Sequence, residues 1–110
     1  MIDLRQLRYF VAIVEQGSLS RAGNFLHVAQ PALSRHVLNM EADLGATLLF
    51  RTPSGVEPTE AGRILLRHAR IMLDQLTVAE EEIRGHLNDP EGEVRLGVPG
   101  TIGPLLAVPP

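Results

Sequence analysis

Ser18-Leu19-Ser20-Arg21-Ala22-Gly23-Asn24-Phe25-Leu26-His27-Val28-Ala29-Gln30-Pro31-Ala32-Leu33-Ser34-Arg35 is the stretch on which the fold turns. It reads as a short helix, a tight turn near His27–Ala29 and a second helix with Pro31 in its first turn, where a missing N–H costs nothing. Ala22, Phe25 and Leu26 are expected to face inward from the first helix, and Leu33, Val37, Met40 and Leu44 from the second. Gln30, Ser34 and Arg35 then fall on the outside. A helix, a turn and a second helix with such an outer face is the layout that enters the major groove of DNA. Gln can bond adenine through two hydrogen bonds, and Arg can do the same to guanine.

Upstream, Leu4, Leu7, Phe10, Val11 and Val14 recur at three- and four-residue steps, which predicts a helix from about Asp3 to Gln16 with Asp3 as N-cap and Gly17 as stop. Ser18 is the expected cap of the next helix, and Gly45 ends the one after it. Downstream, Leu48-Leu49-Phe50-Arg51 and Val56-Glu57 can pair as two short strands about the turn Thr52-Pro53-Ser54-Gly55. A hairpin in that place is a wing. Thr59 caps a helix expected to reach Leu87, with Glu60 well placed against its dipole. Along it Leu65, Ala69, Met72, Leu76, Ala79 and Ile83 alternate at steps of four and three, a heptad seam. A rod about 43 Å long cannot bury that seam on so small a domain, so a second copy of the chain is the expected partner. Folding back onto its own domain is the alternative. Asn88-Asp89-Pro90-Glu91-Gly92-Glu93 reads as a hinge, and Glu93–Val98 alternates as a strand would, the start of a further domain. The predicted fold is therefore mainly α: a winged helix-turn-helix over 1–58, a long dimerisation (linker) helix over 59–87, and a hinge with a truncated domain start over 88–110.

Composition narrows the function classes. With 110 residues, 45% of them hydrophobic, the chain can build one small core. No run of about 18 apolar residues and no signal-peptide layout are visible, and there is no cysteine for a disulfide or thiolate site. A cytoplasmic protein without membrane contact is expected. The net charge of −3 hides an asymmetry. Residues 1–70 carry eight arginines against six acidic residues, whereas residues 71–110 carry two against seven. The basic part coincides with the helix-turn-helix, as expected where one end faces phosphates.

The residues also resemble the N-terminal portion of LysR-type transcriptional regulators. Leu4-Arg5-Gln6-Leu7-Arg8-Tyr9-Phe10, Gly17-Ser18-Leu19-Ser20-Arg21-Ala22, Ala29-Gln30-Pro31-Ala32-Leu33-Ser34-Arg35, Glu41-Ala42-Asp43-Leu44-Gly45, Leu48-Leu49-Phe50-Arg51-Thr52, Gly55-Val56 and Thr59-Glu60-Ala61-Gly62 carry the resemblance in order, and it extends to about residue 98. Ala29-Gln30-Pro31 and Leu96-Gly97-Val98-Pro99-Gly100-Thr101 look most like the nitrogen-assimilation-control subgroup. The resemblance implies Gln30, Pro31, Ser34 and Arg35 in the major groove, Arg51 in the minor groove, and Arg5, Ser20 and Arg21 as weaker phosphate contacts. It implies double-stranded DNA, a second copy and RNA polymerase as partners. It implies no cofactor in this chain, the small-molecule effector belonging to the absent C-terminal domain. Ala29 stands where many members have Ser, and Ser54 and Glu57 where basic wing residues are common, so fewer phosphate contacts and a shallower salt dependence are expected.

Other readings remain beside these. The heptad helix could be the working surface of a protein–protein module. His27, His36, His68 and His86 do not read as a metal-ligand set, although His36 could touch a phosphate and His68 could tune dimerisation with pH. Glu80-Glu81-Glu82 is a solvated charge run, and Glu80 is spaced to pair with Arg84. No nucleophile elbow or phosphate loop is present, so an enzyme is not expected.

Overall fold

The computed structural model describes residues 1–88, which form α1 (Leu4–Gln16), α2 (Leu19–Leu26), α3 (Gln30–Leu44), β1 (Leu49–Thr52), β2 (Gly55–Pro58) and α4 (Glu60–Asn88). This is a winged helix-turn-helix followed by a long helix. The hinge expected beyond Asn88 and the strand expected over 93–98 lie outside the described residues. The chain divides into two units, Met1–Asp74 and the part from Gln75 onward.

The helix ends follow local chemistry. Asp3 accepts from the Gln6 N–H while the Gln6 side chain accepts from the Asp3 N–H, a reciprocal capping box. Gly17 closes α1 in the left-handed region and Gly45 closes α3 in the same way. Ser18 caps α2 by accepting from the Arg21 N–H. The Thr59 hydroxyl accepts from the Gly62 N–H at 3.0 Å and donates to the Thr47 carbonyl, tying the start of α4 to the chain before β1. α4 runs one residue past the expected Leu87.

In the first unit α1 is the shared wall of two apolar clusters. Ala12 and Ile13 pack with Ala22, Leu33, Val37 and Val56, which joins α1, α2, α3 and the wing. Leu7 and Phe10 pack with Met40, Leu48 and Ala69, which joins α1, α3, the chain entering β1, and α4. Phe10, Ile13, Leu33, Met40 and Leu48 are fully buried, each contributing about 1.5–3 kcal/mol. Arg70 and Glu15 add an exposed ion pair at 3.3 Å between α4 and α1.

Four expectations need correction. Phe25 is 64% exposed, because the inward face of α2 is narrow and made by Leu19, Ala22, Gly23 and Leu26. Leu44 is 50% exposed, since it closes α3 beside Gly45 where the chain turns away. Ala69 is buried in the core of its own unit, and Leu65 packs against that core, so the first part of the expected seam is used within the protomer. Glu80 and Arg84 do not pair; on an exposed helix face the attraction is small against the side-chain entropy of holding both. In the second unit every described residue from Gln75 to Asn88 is exposed except the half-buried Leu76.

Gly62 and Gly85 both lie within α4 but in opposite environments. A Cβ at Gly62 would fall on the Leu48 carbonyl oxygen, whereas at Gly85 it would meet nothing within 4 Å. Gly85→Ala is expected to favour the helix by about 1 kcal/mol. Gly62→Ala should reverse the sign and destabilise by about 1–3 kcal/mol through overpacking. Urea denaturation followed by circular dichroism measures both, and a stabilised Gly62→Ala variant would contradict the close approach.

Candidate nucleic-acid interface

The site is built on α3. Its buried stripe is Leu33, Val37 and Met40, so the residues between them are turned outward. Ala29 is the N-cap and makes no side-chain cap bond, and Pro31 occupies the first turn. The first backbone amides of α3 therefore carry no side-chain acceptor, and the positive end of the helix dipole points outward. The turn before it is closed by the Val28 N–H donating to the Gly23 carbonyl at 3.0 Å. His27 there takes φ 58°, a left-handed conformation uncommon outside Gly and Asn.

Pro31 and Arg35 are exposed, and Gln30 and Ser34 are half-buried. The Gln30 Nε2 donates to the Ser34 Oγ at 3.3 Å. Arg35 makes no hydrogen bond or ion pair among the described residues, so its guanidinium is available to an outside acceptor. The wing approaches the same face. Ser34 lines a groove of about 200 Å³ together with Leu38, Glu41, Phe50 and Arg51. The wing strands pair antiparallel with Arg51 opposite Val56, and Arg51 is exposed while Val56 is buried. Structure thus brings Gln30, Ser34 and Arg51 into one region although 21 positions separate Gln30 from Arg51.

The weaker candidates are placed differently. Arg5 and Ser20 are exposed on α1 and α2 without a hydrogen bond to the α3 residues. Arg21 is exposed too, but its Nε donates to the Gln16 carbonyl at 3.2 Å, at the end of α1. His36 does not face out with Arg35. Its ring stands edge-on to Tyr9 with centroids 5.0 Å apart, and its Nδ1 lies 3.5 Å from the Gln6 Nε2. It links α1 and α3. His68 is exposed beside an apolar groove with Leu44, Ile64 and Leu65.

Three contributors were not singled out from the sequence. Leu38 and Phe50 form an exposed apolar rim on the groove between α3 and the wing. Glu41 holds the wing in place, its carboxylate accepting from the Leu48 N–H at 2.8 Å and, more weakly, from the Leu49 N–H at 3.4 Å. Strand alternation could have flagged Phe50; nothing local could have flagged Glu41, whose partners are seven and eight residues away. Among the described residues no three His, Cys, Asp or Glu cluster as metal ligands. Among the described residues no helix is long and apolar enough to cross a membrane.

Residues 4–63 match the family model for the bacterial regulatory helix-turn-helix protein, lysR family. The nitrogen assimilation regulatory protein nac of Klebsiella aerogenes is 44% identical over 109 residues, which is 98% of this chain but 36% of that protein. The chain therefore spans about a third of the length of the curated relatives it matches. The crystal structure of a CbnR_DBD–DNA complex is similar with a TM-score of 0.71 at 38% identity, covering 78% of this chain and 99% of that one. The crystal structure of a BenM_DBD/catB site 1 DNA complex gives 0.75 at 36% identity, covering 78% and 96%.

Removing the Glu41 carboxylate leaves the Leu48 N–H without its acceptor. Glu41→Ala is expected to destabilise the unit by about 1–3 kcal/mol, and Glu41→Gln, which keeps an acceptor oxygen, by less. Chemical denaturation checks the order; equal stability of all three proteins would remove Glu41 as the anchor of the wing.

Proposed function

The chain belongs to the lysR family of bacterial regulatory helix-turn-helix proteins, and we propose from that premise that it is the DNA-binding part of a LysR-type transcriptional regulator. The observation that carries the reading is the outer face of α3, where Gln30, Pro31, Ser34 and Arg35 lie off the buried stripe and Ser34 shares a groove with the wing's Arg51. On this reading α3 enters the major groove, and Arg35 and Gln30 meet base edges. Arg51 reaches the minor groove, and Arg5, Ser20 and the remaining donors of Arg21 meet phosphates that set the register. Relatives include a transcriptional regulator and a transcriptional activation protein by name, which favours this over a protein–protein module. Action through RNA polymerase belongs to the same proposal.

The active form is a homodimer on an interrupted palindrome, with two recognition helices about 34 Å apart. Residues 1–58 form the DNA-binding unit and 59–87 the dimerising helix. Two of the expected seam residues support this by their exposure, Met72 at 43% and Ile83 at 58%. Leu76 and Ala79 complete the seam, while Leu65 and Ala69 are taken up by the domain core.

Fluorescence anisotropy on palindromic and random duplexes at two salt concentrations tests the DNA reading. Arg35→Ala should cost about 1–3 kcal/mol on the preferred site and relax one base position. Arg51→Ala should weaken binding and lower the salt slope by about one. Unchanged affinity and preference in Arg35→Ala would sink the assignment of Arg35. For the dimer, sedimentation equilibrium of Ile83→Glu is expected to show monomer where the parent shows dimer.

A further inference from the structure

We propose that Ser34 is a positioning residue for Gln30, acting on base choice through that side chain and not through a base contact of its own. The inference rests on the reading of α3 as the base-reading helix. Gln30 is the first residue of α3 and Ser34 lies four residues on, so the two share one face a turn apart. The Gln30 Nε2 donates to the Ser34 Oγ at 3.3 Å, and both side chains are half-buried while Pro31, Ala32 and Arg35 are exposed. No cap from Ala29 competes for this region.

Glutamine needs this help. Its side chain has several rotatable bonds, and its amide can turn either an oxygen or an NH₂ toward a base. Bidentate adenine recognition requires one donor and one acceptor side by side, aimed at N7 and N6. With one Nε2 hydrogen engaged by Ser34, the second Nε2 hydrogen and Oε1 form that outward pair in one rotamer. Losing the hydroxyl leaves Gln30 in place but frees its amide to rotate, so it accepts more than one base. The cost should fall on discrimination and spare general affinity, because phosphate contacts supply most of the latter.

The test selects binding sites from a randomised duplex library with the 110-residue chain, sequences the bound pool, and compares Ser34→Ala, Ser34→Thr, Gln30→Ala and the Gln30→Ala, Ser34→Ala double variant. Gln30→Ala is expected to erase the preference at one base position. Ser34→Ala should reduce the preference at that same position about three- to ten-fold, the worth of one hydrogen bond, and lower affinity for random DNA by less than that. Ser34→Thr, which keeps a hydroxyl, should restore it, and in the Gln30→Ala background Ser34→Ala should have no further effect. A Ser34→Ala effect at a different base position, or one that persists undiminished without Gln30, overturns the proposal and makes Ser34 a direct DNA contact. A selected sequence left unchanged by Gln30→Ala and by Arg35→Ala overturns the reading of α3, and the proposal with it, and is distinguishable from both other patterns.

Discussion

The Val56 N–H donates to the Gly17 carbonyl at 3.0 Å, and at that one peptide three elements meet. Gly17 ends α1, Ser18 caps α2, and Val56 is the buried residue of the wing. The approach is so close that a Cβ on Gly55 would fall on the Gly17 carbonyl oxygen, and Gly55 also holds φ 148°. A two-stranded hairpin is marginal by itself in water. Here it is fixed at its tip side by Gly17, at its entry by Glu41, and at its exit by the Thr59 N–H donating to the Leu48 carbonyl. The relative position of Arg51 and α3 depends on those three ties and on the packing of Leu48 and Val56 into the core, and not on the wing's own pairing alone.

α1 plays the complementary part. Its two neighbouring faces feed the two apolar clusters, so the helix that offers few outward functional groups fixes the helix that offers most. Gln6 serves both ends of that task. Its oxygen closes the cap of α1, and its nitrogen approaches His36 on α3. His36 in turn lies against Tyr9, so α3 is set against α1 by polar and aromatic contact as well as by Ile13, Leu33 and Val37.

Features set by neighbours in sequence were readable from it. Asp3, Gly17, Ser18, Gly45 and Thr59 act within a turn of where they sit, and each ends or caps the helix expected of it. The wing strands were off by a single residue, because pairing extends to Thr52 and starts again at Gly55. Periodicity located the apolar side of α2 and α3 but not how wide a partner each would meet, hence Phe25 and Leu44. The heptad reading could not divide Leu65 and Ala69 from Met72 and Ile83, since one spacing serves an internal core and an outside partner alike. His36 and Glu41 depend on residues distant in sequence or on backbone groups of another element, for which a single sequence has no local signal. On α3 the outward placement of Gln30, Ser34 and Arg35 followed from the stripe, while the hydrogen bond between two of them did not.

The stripe and the outer face of α3 are chemically independent, and that has an evolutionary consequence. Substitutions at solvent-facing positions away from special features usually change stability by less than about 0.5 kcal/mol. On the proposed reading, target sequence can therefore drift at Arg35 by single steps, with the scaffold of Leu33, Val37 and Met40 untouched. Gln30 and Ser34 are coupled by a shared hydrogen bond, and as the proposed base readers they would form a two-residue letter of the recognition alphabet. Moving from one letter to another there passes through an intermediate with blurred specificity, which makes this pair the slow-changing part of an otherwise quickly retuned surface.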